Sequence, residues 1–161
     1  FVLFAACQEP AGPPPTLAPG SVSFSYAGSR SGTFAVDGRC YWSDGYPAAD
    51  STCALALDLG DTIRIRATRD PRTIRWIHVN IEFPESGTCD GSGGCRLAMD
   101  FLSPTSKTEL SYRSTSLDVT IQEMTEERLQ GTFTGSAYDP DGAARDTIRI
   151  FDGVFDVPVE R

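Results

Sequence analysis

Apolar and polar residues alternate along most of this chain with a period of two. Val22, Phe24 and Tyr26 fall on one side, and Ser21, Ser23 and Ser25 on the other. Leu55, Leu57 and Leu59 alternate with Ala56 and Asp58, and Ile63, Ile65 and Ala67 with Arg64 and Arg66. The rhythm returns at Leu97, Met99 and Phe101, at Leu117, Val119 and Ile121, and at Leu129 and Phe133 with Gly131, Gly135 and Ala137 in frame. Successive side chains on a strand point to opposite faces, so these segments read as half-buried antiparallel strands. Gly, Pro, Asp and Ser fill the separators, as turns require. No helical period appears, and Met124-Thr125-Glu126-Glu127-Arg128 reads as a turn between strands. The pattern predicts one all-β domain over 21–161, an antiparallel β-sandwich or flattened barrel of about nine or ten strands.

Two segments break the alternation. The apolar frame shifts between Trp76 and Ile77, which predicts a bulge or a strand start, and again around Gly153. At Phe151-Asp152-Gly153 a bulge is preferred to a hairpin turn, leaving one long final strand. Its partner runs from Arg128 to Tyr138 and enters Asp139-Pro140-Asp141-Gly142, a sequence suited to a type I turn.

Before residue 21 the pattern differs. Phe1-Val2-Leu3-Phe4-Ala5-Ala6-Cys7 is an apolar run ending in small residues and a cysteine, as a secretory signal ends. Five prolines in the thirteen residues 8–20 exclude helix and ladder pairing and favour an extended spacer. At about 3.1 Å per residue that spacer reaches roughly 40 Å. No stretch approaches the ~20 apolar residues of a membrane-spanning helix.

The Ala5-Ala6-Cys7 junction resembles the lipobox of bacterial lipoproteins, with Phe4 where that family prefers Leu. The resemblance implies lipid on Cys7 and attachment to a membrane of the cell envelope. Gln8 stands where an Asp often retains such proteins at the inner membrane, so it implies the outer membrane. Two further segments extend the likeness: Leu129-Gln130-Gly131-Thr132-Phe133-Thr134-Gly135, and Asp152-Gly153-Val154-Phe155-Asp156-Val157-Pro158. Together they resemble the C-terminal signature of uncharacterised bacterial β-sandwich lipoproteins, a G-T-F strand returning into D-G-x-F-x-V. Phe34-Ala35-Val36-Asp37-Gly38 with Trp42 resembles their N-terminal opening. The resemblance carries no catalytic residues.

The chain has 14 basic and 22 acidic residues, a net charge of −8. That argues against a nucleic-acid partner, which needs clustered positive charge. Of five cysteines, Cys7 is the odd one if it carries lipid. Cys40, Cys53, Cys89 and Cys95 then form an even set, which in an exported domain predicts two disulfides in one of three connectivities. Cys40–Cys53 and Cys89–Cys95 are favoured because each pair brackets a Gly- or Pro-containing loop. They would contribute about 3 and about 2.4 kcal/mol by loop-closure entropy. Zinc is disfavoured by one histidine and no C-x-x-C spacing, and no cofactor is predicted.

Catalytic chemistry finds little support. Cys89-Asp90-Gly91-Ser92-Gly93-Gly94-Cys95 resembles the G-D-S-G-G of chymotrypsin-like proteases, but Gly91 rather than Asp90 precedes Ser92. His78, the one candidate base, lies inside a strand. Neither Glu82 with Glu85 nor Asp139 with Asp141 has the spacing of a glycosidase pair or a calcium loop. The binding candidate is Tyr41, Trp42, Asp44 and Tyr46, three aromatics and a carboxylate that could meet a glycan or an envelope protein. A core role for Trp42 is the simpler alternative. Arg64, Arg66, Arg69, Arg72 and Arg75 concentrate positive charge around one hairpin, read as a solvated face paired with acids before an anion site. The chain thus reads as a non-enzymatic binding or structural lipoprotein domain, with carbohydrate binding or adhesion as the alternative and a hydrolase third.

Overall fold

The structure, a computed structural model, describes residues 20–38, 42–43, 46–47, 53–60, 62–69, 76–84, 88–90, 94–102, 108–141 and 146–160. Alternation becomes twelve strands among the described residues: β1 (Ser21–Gly28), β2 (Gly32–Asp37), β3 (Trp42–Ser43), β4 (Tyr46–Pro47), β5 (Cys53–Asp58), β6 (Thr62–Arg69), β7 (Trp76–Pro84), β8 (Thr88–Asp90), β9 (Arg96–Leu102), β10 (Thr108–Met124), β11 (Arg128–Tyr138) and β12 (Thr147–Glu160). Helix is absent among the described residues.

Seven strands close a barrel in the order β11-β10-β9-β7-β6-β5-β12, with β11 pairing β12 to complete the ring. The β1–β2 hairpin adds two outer strands on β12, β8 pairs β10, and β3–β4 form a separate two-stranded ribbon. Closure removes the unpaired edges that an open sheet presents. Among the described residues every pairing is antiparallel except β5–β12, where Val159 and Glu160 run parallel to Ala56 and Leu57.

Two bulges reconcile one continuous core with an irregular apolar frame. In β12 one extra residue lies between Ile150 and Gly153 against β11 and between Phe151 and Val154 against β1, and Asp152 takes φ 55°. Ile148 and Ile150 therefore face inward before it, and Phe155 and Val157 after it. In β10 the register shifts between Ser114 and Ser116, so Tyr112 and Leu117 both reach the core. A bulge adds one residue and reverses the facing parity downstream. The frame change at Trp76 is a strand start, since β7 pairs without a register shift on both sides.

The segments behind the family likeness have a mechanical basis. Gly131 pairs with Phe155, and Phe133 with Gly153. Each glycine leaves space for the ring opposite it: a Cβ on Gly131 would meet Phe155, and one on Gly153 would meet Phe133. The rings stack at 6.3 Å and continue into a column through Phe24, Phe34 and Phe83. Tyr26, Phe101 and Tyr112 extend it along the barrel. The interior is thus filled by side chains.

β5 corrects one expectation. Its leucines were the expected core face, yet Ala54 and Ala56 face the main core. Cys53, Leu55 and Leu57 form a second small cluster on the other face, and Leu59 is exposed. Alternation reveals two faces but not which one the barrel encloses.

Candidate functional site

Antiparallel register sets residues of β6, β7, β9 and β10 into cross-strand rows. Arg64, Glu82 and Arg96 form one row. Arg66, Asn80, Ala98 and Arg113 form the next, and Thr68, His78, Asp100 and Ser111 the third. Cross-strand neighbours have Cβ atoms about 5 Å apart, so each row is a chain of contacts. Arg64 Nε donates to Glu82 Oε1 at 2.6 Å, and Arg66 Nε to Asn80 Oδ1 at 3.4 Å. Asp100 Oδ1 accepts from Ser111 Oγ at 2.7 Å and from Arg113 Nη1 at 3.0 Å. Arg113 Nη1 also reaches the Tyr112 carbonyl at 3.1 Å.

The rows open where the β10 bulge begins. β9–β10 pairing ends at Ala98–Arg113, and the next amide, Leu97 N–H, donates to Ser114 Oγ at 2.9 Å. Past this seam a groove of about 350 Å³ is lined by Asn80, Glu82, Arg96, Leu97, Ala98, Arg113 and Ser114. A second hollow, about 270 Å³, continues along Gly94–Arg96 and Ser114–Leu117. Ala98 is the short residue among long ones, and it leaves the floor open. Among the described residues, its row and the two beside it carry Arg64, Arg66, Arg96 and Arg113 with the acids Glu82 and Asp100. Each carboxylate already holds a guanidinium.

A separate polar cluster ties the β1–β2 turn to the barrel. Tyr112 is fully buried, and its hydroxyl donates to Asp146 Oδ1 at 2.9 Å. Ser29 Oγ donates to the same oxygen, and it also reaches the Thr147 carbonyl at 3.1 Å. These hydrogen bonds, Ser29's foremost, hold the Asp146 carboxyl below its ordinary pKa, while burial first of all raises that of the Tyr112 phenol. Arg30 lies over the Phe101 ring at 5.8 Å. Across the molecule, Arg128 binds Asp156 with two parallel hydrogen bonds, Nε to Oδ1 at 2.8 Å and Nη2 to Oδ2 at 2.7 Å. Asp156 is wholly buried, and it raises the Arg128 pKa. Both clusters are structural clasps.

The expected site residues fare unevenly. Cys7, the spacer through Pro19, Cys40, Tyr41, Asp44, Arg72, Arg75, Glu85 and Ser92 lie outside the described residues, as do the side chains of Trp42, Tyr46, His78 and Cys89. The backbone pairs Trp42 with Pro47 and Ser43 with Tyr46 in the β3–β4 ribbon. Cys89 lies in β8 opposite Val119, so the glycine-rich segment begins as a paired strand. Cys53 is buried and Cys95 half-buried, and Cys40 and the Cys89 side chain lie outside the described residues. Asp139 accepts from the Asp141 amide at 3.0 Å, so turn formation accounts for that acidic pair. Among the described residues no three His, Cys, Asp or Glu side chains converge as metal ligands, and no helix is long and apolar enough to cross a membrane.

Asn80, Arg96, Ala98 and Arg113 were not singled out from the sequence. They are ordinary outward positions of three strands, and only the register brings them together. No protein-family model, curated protein or solved structure matches the chain.

Proposed function

We propose that this chain is a non-enzymatic binding or structural β domain, tethered to a membrane of the bacterial cell envelope by lipid on Cys7. The single observation carrying the tether is the apolar run into Ala5-Ala6-Cys7 followed by the proline-rich spacer. A barrel filled by aromatic side chains leaves its polar outer face for contact with partners, which supports binding over transport through the interior. Gln8 favours the outer membrane, and stable attachment requires more than one acyl chain. Mass spectrometry of the mature N-terminus, from membranes of the native bacterium, tests this directly. The expected product begins at an acylated Cys7; an unmodified chain in the soluble fraction refutes the tether.

Two finer parts belong to the same proposal. Cys40–Cys53 and Cys89–Cys95 are the preferred disulfides, and non-reducing peptide mapping distinguishes them from the two other connectivities. A second reading, carbohydrate binding or adhesion through Tyr41, Trp42, Asp44 and Tyr46, is favoured by one observation: the β3–β4 ribbon lies outside the barrel sheet. A glycan array should then give signals that Trp42→Ala removes. A blank array, or one unchanged by that variant, rejects this reading.

A further inference from the structure

We infer that the groove over Ala98 is a binding site for an oxyanion, a carboxylate or phosphate, carried on a body no larger than about one sugar ring. The volume, about 350 Å³, falls at the low end of the ~300–1,000 Å³ typical of small-molecule sites. The walls stand on strands rather than loops, so their positions are fixed before any ligand arrives.

The arrangement of donors decides the class of ligand. Glu82 is engaged by Arg64, and Asp100 by Ser111 and Arg113, so the acids at the rim are already paired. Asn80 accepts from Arg66 through Oδ1, which turns its NH₂ group away from β6. Ser114 accepts from Leu97 N–H, leaving its own hydroxyl proton to donate. Arg113 commits Nη1 and keeps Nη2 for another acceptor. Arg96 lines the groove with no hydrogen bond or ion pair among the described residues. An amide, a hydroxyl and two guanidiniums therefore line a space beside two carboxylates that each already hold a guanidinium. Guanidinium geometry matches the paired oxygens of carboxylate and phosphate. Among the described residues two guanidiniums, of Arg96 and Arg113, line the groove with one carboxylate, Glu82, which already holds Arg64, on a chain of net charge −8. Among the described residues no aromatic ring lines the groove to offer a stacking surface for a neutral sugar.

This reading is independent of the membrane tether and of the aromatic ribbon. The test is an amide-resolved NMR titration of the full 161-residue chain at fixed ionic strength, with glucuronate, glucose 6-phosphate and glucose as probes. Saturable shifts at Asn80, Arg96–Ala98 and Arg113–Ser114 are expected with an anionic probe, with a Kd of roughly millimolar or tighter. Binding of glucuronate alone assigns a carboxylate, and of the phosphate alone a phosphate; glucose should leave these amides unmoved. Arg96→Gln should weaken binding about tenfold. Ala98→Leu should do so too, by filling the floor without changing charge. Arg149→Gln makes the same charge change at an exposed position on β12 and should leave the affinity unaltered. No saturation by either anion up to roughly 20 mM overturns the inference. So does equal binding of glucose, an inert Ala98→Leu, or an Arg149→Gln effect matching that of Arg96→Gln. The amide spectrum of each free variant verifies its fold.

Discussion

Replacing Gly131 by alanine sets a methyl group against the Phe155 ring and the Thr120 carbonyl, both in fixed places. Such overpacking costs about 1–3 kcal/mol, and urea denaturation should register it. Gly153→Ala should cost as much, because its new methyl meets Phe133. At Arg128 the argument is electrostatic. Removing it strands a wholly buried Asp156 carboxylate, so Arg128→Met should lower the melting temperature by roughly 5–10 °C. Adding Asp156→Leu should recover much of that loss, because the uncompensated charge has gone. Asp146 and Tyr112 give the fold opposite pH limits. The Asp146 pKa is lowered in the fold, so its contribution is present above the ordinary carboxylate range and lost as pH falls through the lowered value. The Tyr112 pKa is raised, so its contribution is present below about pH 10 and lost above it. Urea midpoints across pH should fall at both ends, and Asp146→Asn should flatten the acid limb while lowering neutral stability.

At the scale of elements, the weak junction is β5 against β12. Two parallel residue pairs join them, whereas β6 and β7 share eight antiparallel pairs. Hydrogen exchange should therefore show the amides at the β5–β12 junction opening before those at β6–β7. Equal protection at both junctions would mean that the barrel opens only as a unit. The strands themselves were legible from alternation, because Val22/Phe24/Tyr26 or Ile63/Ile65/Ala67 need only local pattern. So was the β12 bulge, marked by Gly153 and by apolar residues on both sides of it. The β10 bulge was not, since Ser114-Thr115-Ser116 carries no apolar residue to reveal a change of face. β5 was misread because its larger side chains occupy the smaller cluster.

For the whole molecule, alternation led to a sandwich or a flattened barrel without choosing between them. The choice depends on β11 meeting β12 while β5 meets the far end of β12, contacts joining distant parts of the sequence. The groove is hidden for the same reason. Asn80, Ala98 and Arg113 sit on strands adjacent in space but separated by turns, and no local motif announces a site shared by three of them. The aromatic loop and the glycine-rich loop drew attention because chemistry-bearing residues cluster there in sequence. The barrel assembles its polar pocket from residues scattered through it.

One strand holds three neighbours: β12 borders β11 along one edge, and β1 then β5 along the other. It is also the last of the described strands in chain order. A polypeptide that emerges amino-terminus first, from a ribosome or through a membrane pore, makes the barrel's other staves before the one that locks them. The β1–β2 hairpin and β5 must wait through most of synthesis for their partner. Pairings of such high contact order form slowly and leave intermediates exposed to proteases and chaperones. Nascent chains arrested before Thr147 should be cleaved rapidly by added protease, and chains arrested well beyond Glu160 should resist it. Vectorial emergence thus turns a feature of topology into a window of vulnerability.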